Sequence, residues 1–279
     1  DLAHHIRSSY SDFEKFLSEN HYALKVQSEV LYEDADVMLW TDFETALGSM
    51  DINSIVRNVE AEAKINDPDE IGHQSIYMSD VVSNACDSLK SVYEECFSEW
   101  VNKIDISFVK PLFYLDKNAL YLTFNYTETL EGVYGIPEEH ILHIHNCRRY
   151  GAPIVGHYGI SFNQYKDEPW VAIDEIDDSL RYLFSITQKD VDSIIRKNSA
   201  FFALLSRSEI DVVYVYGHSL NPIDMPYFKA VKENISSGIP WTVSYYEDAD
   251  QTRFKTRLHD ELDIPDHLIT MIQLKDIIF

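Results

Sequence analysis

Three short stretches carry the residue types that chemistry needs. The first is Thr123-Phe124-Asn125-Tyr126-Thr127-Glu128-Thr129-Leu130-Glu131, an apolar run that ends on an amide. Asn125 can donate and accept at once, which suits it to hold a water or a ribose hydroxyl. Asn125 or Thr127 can equally serve as the cap of a following helix, with Thr127 the better placed. The second is His140-Ile141-Leu142-His143-Ile144-His145-Asn146. In an extended strand His143 and His145 share a face, and such a pair can move protons near neutral pH or bind a metal. His140 and His157 are the further histidines a zinc site would need. No nearby cysteine or paired carboxylate supports one, so no metal is expected. His143 reads equally as a hydrogen-bonded core histidine. His145, nearer the strand end, is the better catalytic candidate. The third is Gly217-His218-Ser219-Leu220-Asn221-Pro222-Ile223-Asp224. Gly217, directly after a buried strand, lets the backbone approach a ligand closely. Ser219 and successive N–H groups, helped by the N-terminus of the next helix, suit a phosphate. Asp224 suits a ribose hydroxyl, or is an ordinary N-cap ahead of Pro226. The G-x-S-x-G elbow of serine hydrolases is not met, because Asn221 stands where its last glycine belongs.

These stretches need elements to position them. Ile6, Tyr10, Phe13, Phe16 and Leu17 recur at helical spacing, Trp40 to Leu47 starts a second helix, and 74–101 reads as a long amphipathic one. The acidic segment Asn66 to Gly72 between them is a turn or loop. From Ala119 the period changes. Ala119 to Tyr126 reads as a strand buried on both faces, His140 to His145 as a second, and Pro153 to His157 as a short third. The acidic stretch from Asp167 to Asp178 reads as a loop or insertion, and 189–205 as a helix. Asp211 to Gly217 is the best candidate for a central strand. Helix 224–235, strand Trp241 to Tyr246, helix 249–262 and strand Leu268 to Ile272 follow. Strand and helix alternate, so the expected class is α/β: a mainly parallel sheet with helices on both faces, in a single domain over 1–279. Residues 20–115 are expected to form a helical cap or insertion, and 116–279 to hold most of the sheet.

Composition narrows the function. The chain has 279 residues, 45% hydrophobic and 13% aromatic, which is the make-up of a globular protein of one or two domains. With 47 acidic against 23 basic residues the net charge is -24. That argues against sequence-independent nucleic-acid binding and docking on anionic membranes, both of which rely on Lys and Arg. No apolar run reaches the roughly 18 residues of a membrane span. The three cysteines, Cys86, Cys96 and Cys147, include no C-x-x-C pair and read as buried small hydrophobes in a reducing cytoplasm.

The order of the motifs adds a resemblance. Asp1-Leu2-Ala3-His4 with Tyr10-Ser11-Asp12-Phe13, then Trp40-Thr41-Asp42-Phe43-Glu44, Thr123-Phe124-Asn125-Tyr126-Thr127, His143-Ile144-His145-Asn146, and Gly217-His218-Ser219-Leu220 with Asp224 resemble the AbiH family of bacteriophage abortive-infection proteins over nearly the whole chain. That family is similar in turn to the NAD-binding, sirtuin-like branch of Rossmann-type folds. The resemblance implies that Asn125 orients a water or the cofactor near the nicotinamide ribose. It implies His145 as base or polariser at a ribose hydroxyl, and the turn from Gly217 to Leu220 against the adenosine half. Asp1, His4, Thr123, Phe124, Tyr126, His143, Gly217, His218, Ser219, Leu220 and Asp224 are the implied cofactor contacts. Thr127 stands where the sirtuin-like pattern has an acid, and Asn146 where it has glycine. The four-cysteine zinc ribbon of the deacylases is absent, so protein deacylation is not expected. The resemblance also implies a strand and a glycine-rich turn ahead of Asp1, where the pyrophosphate would sit. The sequence starts after them, so it is expected to be trimmed or unable to bind a dinucleotide normally.

The expected function is therefore cleavage of the nicotinamide–ribose bond of NAD, or of a related nucleotide, during phage infection, with NAD as substrate and no required cofactor. The alternatives are a nucleotide-binding sensor without turnover and a protein-interaction module. A phage protein as trigger and a homo-oligomer are the expected partners.

Overall fold

The structure, a computed structural model, describes residues 97–159 and 174–277. The expected helices before residue 97, with Asp1 and His4, lie outside the described residues, apart from a helical end at 97–103. The described residues fall into two compact units, drawn from Asp1–Asp105 with Asn146–Lys189 and from Ile106–His145 with Asp190–Phe279.

The second unit carries two small sheets, both wholly parallel. In one, β1 (Tyr121–Thr123) pairs with β2 (Ile141–His143), with Thr123 opposite His143. Both strands are shorter than their apolar runs. The Asn125 N–H turns back to the Thr123 Oγ1 at 3.1 Å, which ends β1. The short helix α1 (Thr129–Gly132) follows. The other sheet runs β3 (Val213–Val215), β4 (Trp241–Tyr245), β5 (Ile269–Gln273) in that order. Parallel strands require crossovers, and α5 (Met225–Glu233) and α6 (Asp248–Leu262) supply them. The class is thus α/β, with mixed helices and parallel sheets.

The expectation that β3 is central is corrected. Among the described residues it lies at an edge of its sheet, where Tyr214 is 57% exposed, and the middle place belongs to β4 with Trp241 and Val243 fully buried. Trp241 and Val243 join Val215, Leu220, Phe228, Phe254 and Leu258 in one core, against which Phe124 packs. The helix expected at 189–205 is two helices, α3 (Val191–Lys197) and α4 (Ser199–Arg207). Asn198 breaks it, because its side-chain amide bonds the Ile194 carbonyl at 2.9 Å and competes with the helical ladder.

In the first unit, α2 (Asp174–Ile186) overturns the expected loop from Asp174 onward. Leu180 and Phe184, four residues apart, are buried on one face while Asp178 and Arg181 face out, so an amphipathic helix absorbs the acidic residues. Residues 160–173 lie outside the description. The strand expected at Pro153 to His157 is reduced to a single bridge, His157 to Gln188. Gly156 is forced there by close approach: a Cβ would lie 2.5 Å from the Thr187 carbonyl oxygen. Cys147 is buried as expected, and Cys86 and Cys96 lie outside the description. No helix of the described residues is long and apolar enough to cross a membrane.

Candidate functional site

The carboxyl ends of β1, β2 and β3 converge on the ring of Phe124, the place where open parallel sheets put ligands. Phe124 leaves β1 and meets His218 with ring centroids 4.3 Å apart, His145 at 5.4 Å edge-on, and Phe228 stacked at 5.6 Å. His145 follows β2 by two residues and is 3% exposed. Tyr126 stacks on it at 6.1 Å and Tyr227 meets it edge-on at 5.3 Å. Below these rings lies Asp224. Its Oδ1 is 3.7 Å from the His145 Nε2 and its Oδ2 is 3.4 Å from the His218 Nε2.

Asp224 holds the N-cap position of α5, yet its side chain makes no capping bond. The plain cap reading therefore does not describe it: the carboxylate turns to two imidazoles. Asn221 does the local capping instead, accepting the Ile223 N–H at 3.2 Å. Asn125 and Thr127 are not caps either. The N-cap of α1 is Glu128, without a side-chain bond, and the Thr127 hydroxyl pairs with that of Thr129 at 2.7 Å. Asn125 is exposed at the mouth of β1. Thr123 and His143 are register partners and the Ile144 N–H bonds the Thr123 carbonyl, so Asn125 and His145 leave neighbouring strand ends.

His143 takes another course. Its Nδ1–H donates to the Asn125 carbonyl at 3.0 Å, and its Nε2 lies 2.9 Å from the Glu131 Oε1. Both nitrogens are used within the protein, tying β2 to the chain after β1. The shared face expected for His143 and His145 needs an extended strand, and β2 ends at His143. His140 bonds the Lys117 carbonyl at 2.9 Å. Among the described residues no group of three or more His, Cys, Asp or Glu is arranged to hold a metal ion.

The turn after β3 owes its glycine to conformation: Gly217 has φ 63° and nothing within 4 Å of a Cβ position. The Gly217 N–H donates to the buried Ser244 Oγ at 3.0 Å. The Leu220 N–H donates to the His218 Nδ1 at 2.8 Å, and the Asp224 N–H to the Asn221 carbonyl at 2.9 Å. These amides, with that of Ile223, are engaged internally. Leu220 also lies at positive φ, 49°, is fully buried, and gives its carbonyl to Arg257.

Sequence reasoning missed Ser244, Tyr227, Phe228, Glu131 and Arg257. Tyr227 and Phe228 stand three and four residues after Asp224, one helical turn away, and that spacing was the readable signal. Ser244 and Arg257 left none, since each bonds a backbone atom far off in the chain. Tyr121 ionises only at about 12, held up first by burial and then by Asp116, Tyr114 and Tyr216.

The fold is that of an α/β protein with its polar groups gathered at parallel strand ends. The profile of the family described as "Bacteriophage abortive infection AbiH" matches residues 1–245. That is most of the chain, and the protein belongs to the AbiH family. Neither a curated protein nor a solved structure matches it significantly. The match ends with β4, so every site residue expected from the sequence falls inside it, while Arg257 and β5 fall outside.

Proposed function

We propose that this protein acts in phage abortive infection by binding NAD or a related nucleotide at the Phe124 cluster and cleaving its nicotinamide–ribose bond, in a sirtuin-like, Rossmann-type setting in the cytoplasm. Membership of the AbiH family supports the defence role. The observation that carries the chemistry is the Asp224 carboxylate set between His145 and His218 at the ends of the strands. Breaking a glycosidic bond builds oxocarbenium-like charge on the sugar. The site must then supply a dipole or anion near that charge, a positioned water, and a group on a ribose hydroxyl. Asn125, exposed at the mouth, suits the water. His145, backed by Asp224, suits the hydroxyl.

Asn146 supports the sirtuin-like comparison in an unexpected way. It stands where that pattern has glycine, and its φ of 64° is the left-handed conformation that glycine favours and asparagine tolerates. The test is release of nicotinamide from NAD and NADP by the full-length protein, with and without infected-cell extract as the source of a phage trigger. Release that vanishes in Asn125→Ala and His145→Ala is the expected result. Intact NAD and NADP under all conditions, or toxicity unchanged by both substitutions, removes the reading. The second reading is a nucleotide sensor without turnover. Thr127, in place of an acid and bonded to Thr129, favours it. Thermal stabilisation by NAD with no product formed distinguishes it.

A further inference from the structure

We infer that His218 is a positioning residue: it holds the Asp224 carboxylate in the orientation that takes the Nε2–H of His145. The inference rests on the reading of His145 as the group that meets the ribose, and it names what sets that imidazole.

A backbone N–H can only donate, and that of Leu220 points at the His218 Nδ1 from 2.8 Å. A ring nitrogen that accepts carries no proton, so neutral His218 keeps its proton on Nε2. That is the nitrogen facing the Asp224 Oδ2 at 3.4 Å. Leu220 itself is left-handed, with φ 49°, and so fixes the direction in which the chain leaves this bond. Burial of the leucine side chain and the Arg257 bond to its carbonyl keep it there.

A carboxylate set among aromatic rings needs donors around it. With Oδ2 given to His218, Oδ1 faces the His145 Nε2 at 3.7 Å. An ionised carboxylate only accepts, so it selects the His145 tautomer with its proton on Nε2 and leaves Nδ1 as the nitrogen that can take a proton. Both separations exceed those of finished hydrogen bonds, as is common in ligand-free sites that tighten on binding. Packing of Phe124 against both imidazoles keeps them facing the same carboxylate.

The experiment is proton and nitrogen-15 NMR of the imidazole groups in the full chain, read beside nicotinamide release. The unmodified protein is expected to give downfield, slowly exchanging Nε2–H protons for both His145 and His218. His218→Phe keeps the ring packing and removes the donor. In it the His145 proton is expected to move upfield and exchange freely, and nicotinamide release to fall by about 10²-fold. His218→Gln restores an amide donor at the same reach and is expected to recover both. A His218 protonated on Nδ1 in the unmodified chain overturns the proposal, and that measurement needs no variant to fold. A His145 signal indifferent to His218→Phe overturns it as well. Coupled imidazoles with no nicotinamide release leave this inference standing and remove the NAD-cleavage reading instead.

Discussion

His145 and His157 are both sealed from water, at 3% and 0% exposure, and their surroundings differ in kind. His145, in the second unit, sits among Phe124, Tyr126 and Tyr227 with a carboxylate within ion-pair distance. His157, in the first, meets the ring of Phe184 at 4.3 Å and bonds the carbonyl of the same residue through Nε2 at 3.2 Å. Its Nδ1 has no hydrogen-bond partner among the described residues, and burial holds its pKa below the ordinary histidine value. Burial alone makes a structural pin. An ionisable neighbour at a strand end makes a place where protons can move.

The largest effect that tests this contrast is on turnover. His145→Ala is expected to lower nicotinamide release per folded molecule by at least about 10²-fold, in addition to the stability lost through the cavity it leaves among Phe124, Tyr126 and Tyr227. A variant with full turnover would place His145 with His157 as a pin. In the first unit stability alone is expected to respond. His157→Ala leaves a cavity against Phe184 and is expected to lower stability by about 3 kcal/mol in urea unfolding, with turnover per folded molecule unchanged. Gly156→Ala forces a Cβ onto the Thr187 carbonyl and is expected to destabilise by about 2 kcal/mol in the same assay.

Acid sharpens the contrast further. Because folding lowers the His157 pKa, the unfolded chain binds more protons as pH drops below the ordinary value of 6.5. The contribution of His157 is complete above that pH and is lost as pH falls through the folded value. Unfolding midpoints between pH 7 and 5 are expected to fall less steeply in His157→Ala than in the unmodified chain. The smallest effect belongs to the exposed His259. A hydrogen bond to Asp260 raises its pKa, so its contribution is present at low pH and is lost as pH rises through the folded value. At physiological salt that exposed pair is screened, and His259→Ala is expected to leave the midpoint where it was.

Much of the fold was legible because the C-terminal half keeps strict local habits. Trp241 to Tyr246 and Leu268 to Ile272 were read as strands within one residue of β4 and β5, and 249–262 as the helix α6. Apolar content alone misplaced β3, since Val and Tyr residues look alike in a central strand and in an edge strand that exposes Tyr214. The acidic segment misled for a similar reason: charge suggested a loop, while the spacing of Leu180 and Phe184 was the stronger signal. At the site, the residue types and their strand ends could be read, and Phe124, Tyr126, His145, His218 and Asp224 do meet. What could not be read was which partner each imidazole would choose. His143 and His145 are two residues apart in the same motif, and only the end of β2 sends one to Glu131 and the other to Asp224.

Arg257 stands on α6, well down the chain from the turn it serves, and bonds the Leu220 carbonyl while its Nε lies 3.2 Å from Glu261 on the same helix. A guanidinium shared between a kinked loop and a distant helix works as a guy-rope. Slackening it, by Arg257→Leu or by shifting the helix that anchors it, would let the loop unwind and carry His218 and Asp224 away from His145 without touching any of the three.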